Sequence, residues 1–163
     1  MTSAARRKLL MDYRKFEENA ADLKILMRPG DQNMMICEAI IFGPDDTEWE
    51  SGVFRLKMEF SDKYPIEAPK VRFLTPMFHP NIYADGNICL DILGNKWSRL
   101  YDCVAILTSL QSLLTDPNTE SPANHEAAGL YTEAAGDKNA LYYRKVRQCV
   151  EDSWIYTRPA QPD

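Results

Sequence analysis

The sequence predicts an α+β domain: an N-terminal helix, a four-stranded antiparallel meander, a long loop, then three helices. Three observations carry that reading. Apolar residues recur at helical spacing over residues 3–19 and again beyond residue 102. Between them lie four stretches of strand character, joined by links too short to hold a crossover helix. After residue 74 the regular pattern lapses for about two dozen positions, a length that in compact domains usually marks a functional loop.

The elements follow in chain order. "SAARRKLLMDYRKFEEN" places Leu9, Tyr13 and Phe16 on one helical face, with Ser3 as N-cap. Arg6, Arg7 and Lys8 occupy its first turn, the wrong sign for the positive end of the helix dipole. That placement costs a few tenths of a kcal/mol up to about 1 if unpaired. Such a basic turn serves either as a solvated face or as a docking site. Strands are expected at 22–27, 34–42, 52–60 and 71–74. In the third, Val53, Leu56, Met58 and Phe60 nearly alternate with Arg55, Lys57 and Glu59, as a half-buried strand requires. Asp102 can cap "CVAILTSLQSLLT", whose Val104, Leu107, Leu110 and Leu114 form one stripe. Asn124 can cap "HEAAGLYTEA", and Asp137 "KNALYYRKVRQCVEDSW". Residues 1–163 read as a single domain with a short C-terminal tail after about residue 154, and no repeat or linker interrupts them.

Composition narrows the function. The chain is 45% hydrophobic and 26% charged, with a formal net charge of −5, which argues against direct nucleic-acid binding. No apolar run approaches the ~18 residues of a membrane span, and the N-terminus lacks the apolar stretch of an export signal. A cytoplasmic and nuclear location is therefore expected, with Cys37, Cys89, Cys103 and Cys149 as free thiols. None of these forms a CxxC pair, and His79 and His125 are scattered, so no metal site is expected.

The long loop contains "HPNIYADGNICLDIL" at 79–93. Pro80 fixes its own φ and restricts His79, while "ADGN" is a turn with Gly86 able to take positive φ. Two bends in so short a span can fold Asn81 back toward Cys89. There its amide is either an oxyanion donor or a brace on the loop backbone. Cys89 itself is either a buried structural thiol or a nucleophile. His79 is either a general base or a structural side chain. The nearer ionisable groups, Asp85 and Asp91, are acidic and would hinder thiolate formation. A cysteine of ordinary acidity, with a pKa of roughly 8.5, is only a few per cent thiolate at neutral pH. That suffices for exchange with a thioester, whose leaving group is itself a thiolate, but poorly equips a hydrolase. The chain also has no G-x-x-x-x-G-K-[ST] loop, so an activated acyl group must be handed to it.

"HPNIYADGNICLDIL", followed by Trp97, resembles the active-site signature of the ubiquitin-conjugating enzymes. "ARRKLLMDYRKF", "YPIEAPKVRFLTPMFHPN", "YDCVAILTSLQSLLTDPN" and "SPANHEAAGLY" are similar to the branch acting in DNA-damage tolerance and histone ubiquitylation. The resemblance implies the ubiquitin-conjugating core fold. It also implies that Cys89 accepts ubiquitin as a thioester from the activating enzyme and passes it, with a ligase, to a substrate lysine. Asn81 matches the family asparagine that supports the loop or the oxyanion. Ser121 falls at the gateway position, where many relatives carry an acidic residue, and with Asp91 and Tyr83 would border the incoming lysine. Arg6, Arg7 and Lys8 match the face that meets the activating enzyme. Ile66, Ser98 and Arg99 match the surface that meets a RING-type ligase. No cofactor is implied, because the activating enzyme uses the ATP.

Ile66, Arg99 and Thr119 depart from the residues usual at their positions, which leaves the ligase open and predicts a looser gateway loop. The residues after Trp154 are expected to form only a short tail, unlike the long acidic one of some branch members. Two alternatives compete with this function: a catalytically inactive ubiquitin-binding adaptor, and a carrier of another ubiquitin-like modifier. Retention of Cys89 and Asn81 speaks against the first, and the net charge of −5 against the second.

Overall fold

Ser3 starts the first helix as its position predicts: its hydroxyl accepts the Arg6 N–H at 3.2 Å. In the computed structural model, which describes residues 3–156, helix α1 spans Ala4–Leu23. Leu9, Tyr13 and Phe16 are buried with Ala5, so the apolar stripe faces the core. The helix runs beyond its expected end at Asn19, because "AADL" continues it until Lys24 turns left-handed (φ 51°, ψ 44°). The stretch expected as strand 22–27 is thus divided between a helix end and a strand start.

Strands β1 (Ile25–Pro29), β2 (Ile36–Phe42), β3 (Val53–Glu59) and β4 (Lys70–Phe73) form one antiparallel sheet in sequence order. Ile25 pairs with Ile41, Ile41 with Phe54, and Leu56 with Phe73. This register buries Cys37, Ala39, Ile41, Phe54, Leu56, Met58, Val71 and Phe73 on one face. Phe54 takes the inward position in β3, whereas Val53 is only half-buried. Arg55, Lys57 and Arg72 lie on the opposite face.

Helix α2 (Cys103–Thr115) covers the buried face with Ile106, Leu107, Leu110, Leu113 and Leu114. Asp102 caps it, accepting the Ala105 N–H at 2.8 Å, and its other oxygen holds Lys15 of α1 at 2.6 Å. The Gln111 amide donates to the Phe42 carbonyl at 3.1 Å and the Leu23 carbonyl at 3.3 Å. It thereby joins α2 to the ends of α1 and β2 and satisfies an orphan helix carbonyl.

Helix α3 (His125–Ala134) is capped by Asn124, which accepts the Ala127 N–H at 3.0 Å. Helix α4 (Leu141–Tyr156) begins later than expected. Asp137 does not cap it. Its side chain accepts the Asn139 N–H at 3.0 Å and its carbonyl the Ala140 N–H at 3.0 Å, closing a turn before the helix. At the other end α4 runs to Tyr156, past the expected tail boundary, and the rest of that tail lies outside the described residues. Among the described residues, no helix is long and apolar enough to cross a membrane.

Candidate active site

The segment after β4 is irregular but anchored. Thr75, His79, Pro80, Asn81 and Ile82 are all buried, so the loop's first half is packed into the core. The "ADGN" turn forms a small hairpin in which Ile82 bridges Ile88, Tyr83 N–H donates to the Asn87 carbonyl, and Gly86 has φ 92°. A Cβ on Gly86 would stand 2.0 Å from the Phe73 carbonyl oxygen, so glycine is required for closeness as well as conformation. Asp85 is committed to this turn. Its carboxylate accepts the Asn87 N–H and side-chain amide, which hold its pKa below the usual range.

The two bends bring Asn81 to Cys89: the Cys89 N–H donates to the Asn81 carbonyl at 2.8 Å. The Asn81 amide is used elsewhere. Nδ2 donates to the Asn118 carbonyl at 2.6 Å, and Oδ1 accepts the Asn118 N–H at 2.8 Å. Pro80 adds to this seam, its carbonyl accepting the Ala123 and Asn124 N–H groups at 2.8 and 3.0 Å. The "DPNTESPAN" loop is therefore laced to "HPN" at both ends. Between those anchors the Ser121 carbonyl accepts the Cys89 thiol at 3.4 Å.

His79 is excluded as a base by its surroundings. Nε2 donates to the Leu113 carbonyl at 2.7 Å, leaving Nδ1 to accept the Asn81 N–H at 2.9 Å. Burial pushes its pKa down to about 4. The ring is a neutral strut between α2 and the loop.

The cysteines separate by environment. Burial pushes the Cys37 thiol up to about 12, Cys149 up to about 11 and Cys103 well above its ordinary value. Cys89 is the partly exposed one. It opens onto a groove of about 460 Å³ between the loop and α2, bordered by Asp91, Ser109, Ser112 and Asn118. Reactivity of a thiol needs access, and among the four only Cys89 has it.

The expected neighbours are distributed around this thiol. Asp91, half-exposed, lines the groove, and Ser121 is exposed on the gateway loop. Tyr83 is exposed on the hairpin. No contact of the Tyr83 or Ser121 side chain with Cys89 is present among the described interactions. Asn118 and the polar edge of α2 (Thr108, Ser109 and Ser112) escaped the sequence reading. Their signal was legible: hydroxyls spaced one turn apart on the face opposite the leucine stripe.

The expected docking residues divide. Arg6 and Arg7 are exposed on α1. Lys8 instead lies inward, its ammonium 2.6 Å from buried Asp12, which also accepts the Tyr64 hydroxyl. Ile66 is 64% exposed, and Arg99 is exposed in the loop after Trp97. The two loops are joined where Trp97 Nε1 donates to the Pro65 carbonyl at 2.9 Å. Ser98 caps its own turn, accepting the Leu100 N–H.

Comparisons with known proteins agree with this architecture. The family model for "Ubiquitin-conjugating enzyme" matches residues 8–150. "Ubiquitin-conjugating enzyme E2 3" of Arabidopsis thaliana is 49% identical over 155 residues, covering 95% of this chain and 100% of that protein. "Ubiquitin-conjugating enzyme E2 1" of Caenorhabditis elegans is 49% identical, covering 95% of this chain and 78% of its own. Among solved structures, the H. polymorpha ubiquitin-conjugating enzyme Pex4p, in complex with the soluble domain of Pex22p, superposes with a TM-score of 0.84. It is 24% identical and covers 92% of this chain and 98% of its own, which bears on the fold alone. The family match and the near-full-length relatives make the conclusion direct: the chain belongs to the ubiquitin-conjugating enzymes, which transfer ubiquitin through a thioester.

Proposed function

We propose that Cys89 is the thioester-bearing residue and that the groove beside it receives the extended C-terminal segment of the acyl donor. One observation carries this reading: the accessible thiol opens onto a groove with mixed polar and apolar walls, while the other cysteines are buried. No base contacts the sulfur among the described interactions, which suits thiol–thioester exchange. Resonance stabilisation is weaker in a thioester than in an amide, and the leaving group is no poorer than the nucleophile.

Lysine attack is the demanding step. Asp91 and Ser121 flank the approach, with Tyr83 farther out on the hairpin, and the Asp91 carboxylate is placed to attract the incoming ammonium and to accept its proton. Asn81 acts as a brace: both ends of its amide bond the Asn118 backbone, holding the gateway loop against the thiol. Arg6 and Arg7 meet the activating enzyme, while Ile66, Ser98 and Arg99 meet a RING-type ligase. The protein needs no cofactor of its own, since the activating enzyme consumes the ATP. The motifs "ARRKLLMDYRKF" and "SPANHEAAGLY" support the further reading that the protein acts in the DNA-damage-tolerance and histone-ubiquitylating branch, in the cytoplasm and nucleus.

Incubation with activating enzyme, ATP and ubiquitin is expected to yield an adduct that reductant destroys. Cys89→Ser should convert it to a reductant-resistant ester or abolish it, while Cys37→Ser, Cys103→Ser and Cys149→Ser leave it labile. Absence of any ubiquitin adduct would favour an inactive adaptor, and an adduct with only another modifier would make the chain that modifier's carrier. Asn81→Ala should slow lysine attack more than loading. Equal loss in both steps would limit Asn81 to stability.

A further inference from the structure

A carboxylate that takes no part in the chemistry lies beneath both ligase-facing loops. Asp12, on the inner face of α1, is only 2% exposed. Its Oδ1 holds Lys8 Nζ at 2.6 Å. Its Oδ2 accepts the Tyr64 hydroxyl and, at 3.6 Å, the Cys103 thiol. A charge this deep is costly unless donors surround it, and here they come from separate parts of the chain. Lys8 belongs to α1 itself, Tyr64 to the link between β3 and β4, and Cys103 opens α2.

Both loops are thereby fastened to α1. In the first, Tyr64 is followed by Pro65 and exposed Ile66, whose N–H donates to the Lys63 carbonyl at 2.7 Å. The second, carrying Ser98 and Arg99, ends at Asp102 and Cys103, and Lys15 of α1 holds Asp102 at 2.6 Å. Trp97 bridges the two, donating to the Pro65 carbonyl, with its ring centroid 6.3 Å from that of Tyr64. The Tyr64 ring also meets Phe60 edge-on at 4.7 Å. Its packing therefore has partners of its own, and its hydroxyl is the part given to Asp12.

We infer that Asp12 is a positioning residue for ligase-stimulated transfer: through Tyr64 and Cys103 it fixes the two loops in the relative arrangement that a RING-type ligase recognises. The inference rests on the reading of Ile66, Ser98 and Arg99 as the ligase surface and gives that surface a support inside α1. A ligase that must order the loops itself loses binding energy to that ordering, whereas loops already fixed leave it to the contact. The same carboxylate accounts for Lys8 turning inward beside exposed Arg6 and Arg7.

Tyr64→Phe removes the hydroxyl and keeps the ring. Asp12→Ala removes the acceptor, while Asp12→Asn keeps an oxygen for Tyr64 and leaves Lys8 to turn to water. Discharge of the ubiquitin-charged protein onto free lysine is measured without ligase and across a titration of a RING domain that accelerates wild type. Tyr64→Phe should raise the half-saturating ligase concentration at least about tenfold, the scale of a lost hydrogen bond to a charged group. The plateau rate, the ligase-free rate and charging should stay unchanged. Asp12→Ala should behave alike, the double variant should be no worse than either single one, and Asp12→Asn should restore most of the response. Hydrogen exchange gives a reading that no ligase enters. The Ile66 and Glu67 amides, both bonded to the Lys63 carbonyl, should exchange about tenfold faster in Tyr64→Phe while β3 keeps its protection. A wild-type ligase response in Tyr64→Phe would overturn the inference, as would unaltered exchange at Ile66 and Glu67. So would equal losses in charging, ligase-free discharge and ligase response. Ile66→Ala, measured in parallel, separates the two readings. If it weakens the ligase response, only the role of Asp12 falls; if it has no effect, the ligase surface falls as well.

Discussion

Protonation of His79 would remove the lone pair that accepts the Asn81 N–H and would place a charge in a fully buried ring. Its folded pKa of about 4 lies below the ordinary 6.5, so the unfolded chain binds this proton more readily. Stability from the neutral ring is therefore complete above pH 6.5 and lost as pH falls toward 4. The full effect is on the order of 3 kcal/mol. Urea unfolding across that range should show the decline in wild type and a flatter profile in His79→Gln. An equal slope in both would remove His79 as the source. At this scale the sequence left His79 and Asn81 each with two roles, because side chains of one composition serve both. Only the fold shows the partners: Leu113 for the His79 ring and Asn118 for the Asn81 amide.

Among the elements, α2 depends on its cap. Asp102 satisfies the Ala105 N–H and also receives Lys15 from α1. Burial alone would raise its pKa, but the Lys15 bond and the cap hold it below the usual carboxylate value. Asp102→Ala should lower unfolding stability by about 1–2 kcal/mol, the usual cost of a lost cap. Lys15→Ala should do less, because its ammonium is largely in water. Denaturant titration of the two variants checks the order, and a larger loss from Lys15→Ala would contradict it. Ser3, Asp102 and Asn124 were readable as caps, since capping acts over three residues. The end of α1 was not: its extension to Leu23 depends on Lys24 turning left-handed and on Gln111 reaching across from α2.

Across the whole molecule, the Trp97–Pro65 bond unites two loops distant in sequence into one surface carrying exposed Ile66 and Leu100. Ile66→Ala should reduce transfer stimulated by a RING ligase roughly five- to tenfold, the scale of one apolar interface anchor. Charging by the activating enzyme should be unchanged, which separates this surface from the exposed arginines of α1. Single-turnover discharge with and without ligase makes the measurement. Equal rates for variant and wild type would remove Ile66 from the ligase interface.

Helix and strand order and the loop around Cys89 were determined by the sequence, through periodicity, caps and turn residues acting over a few positions. The tertiary structure decided which groups meet there. Asn81 and Asn118 are 37 positions apart, Cys89 and Ser121 are 32, and no local pattern encodes either pair. They meet because α2 packs on the sheet and delivers the following loop to "HPN". The same packing made Lys8 an internal partner of Asp12, while the turn after Cys89 set Lys96 on Asp91. Charge along a chain shows that a lysine is present; only the folded path shows which carboxylate it faces.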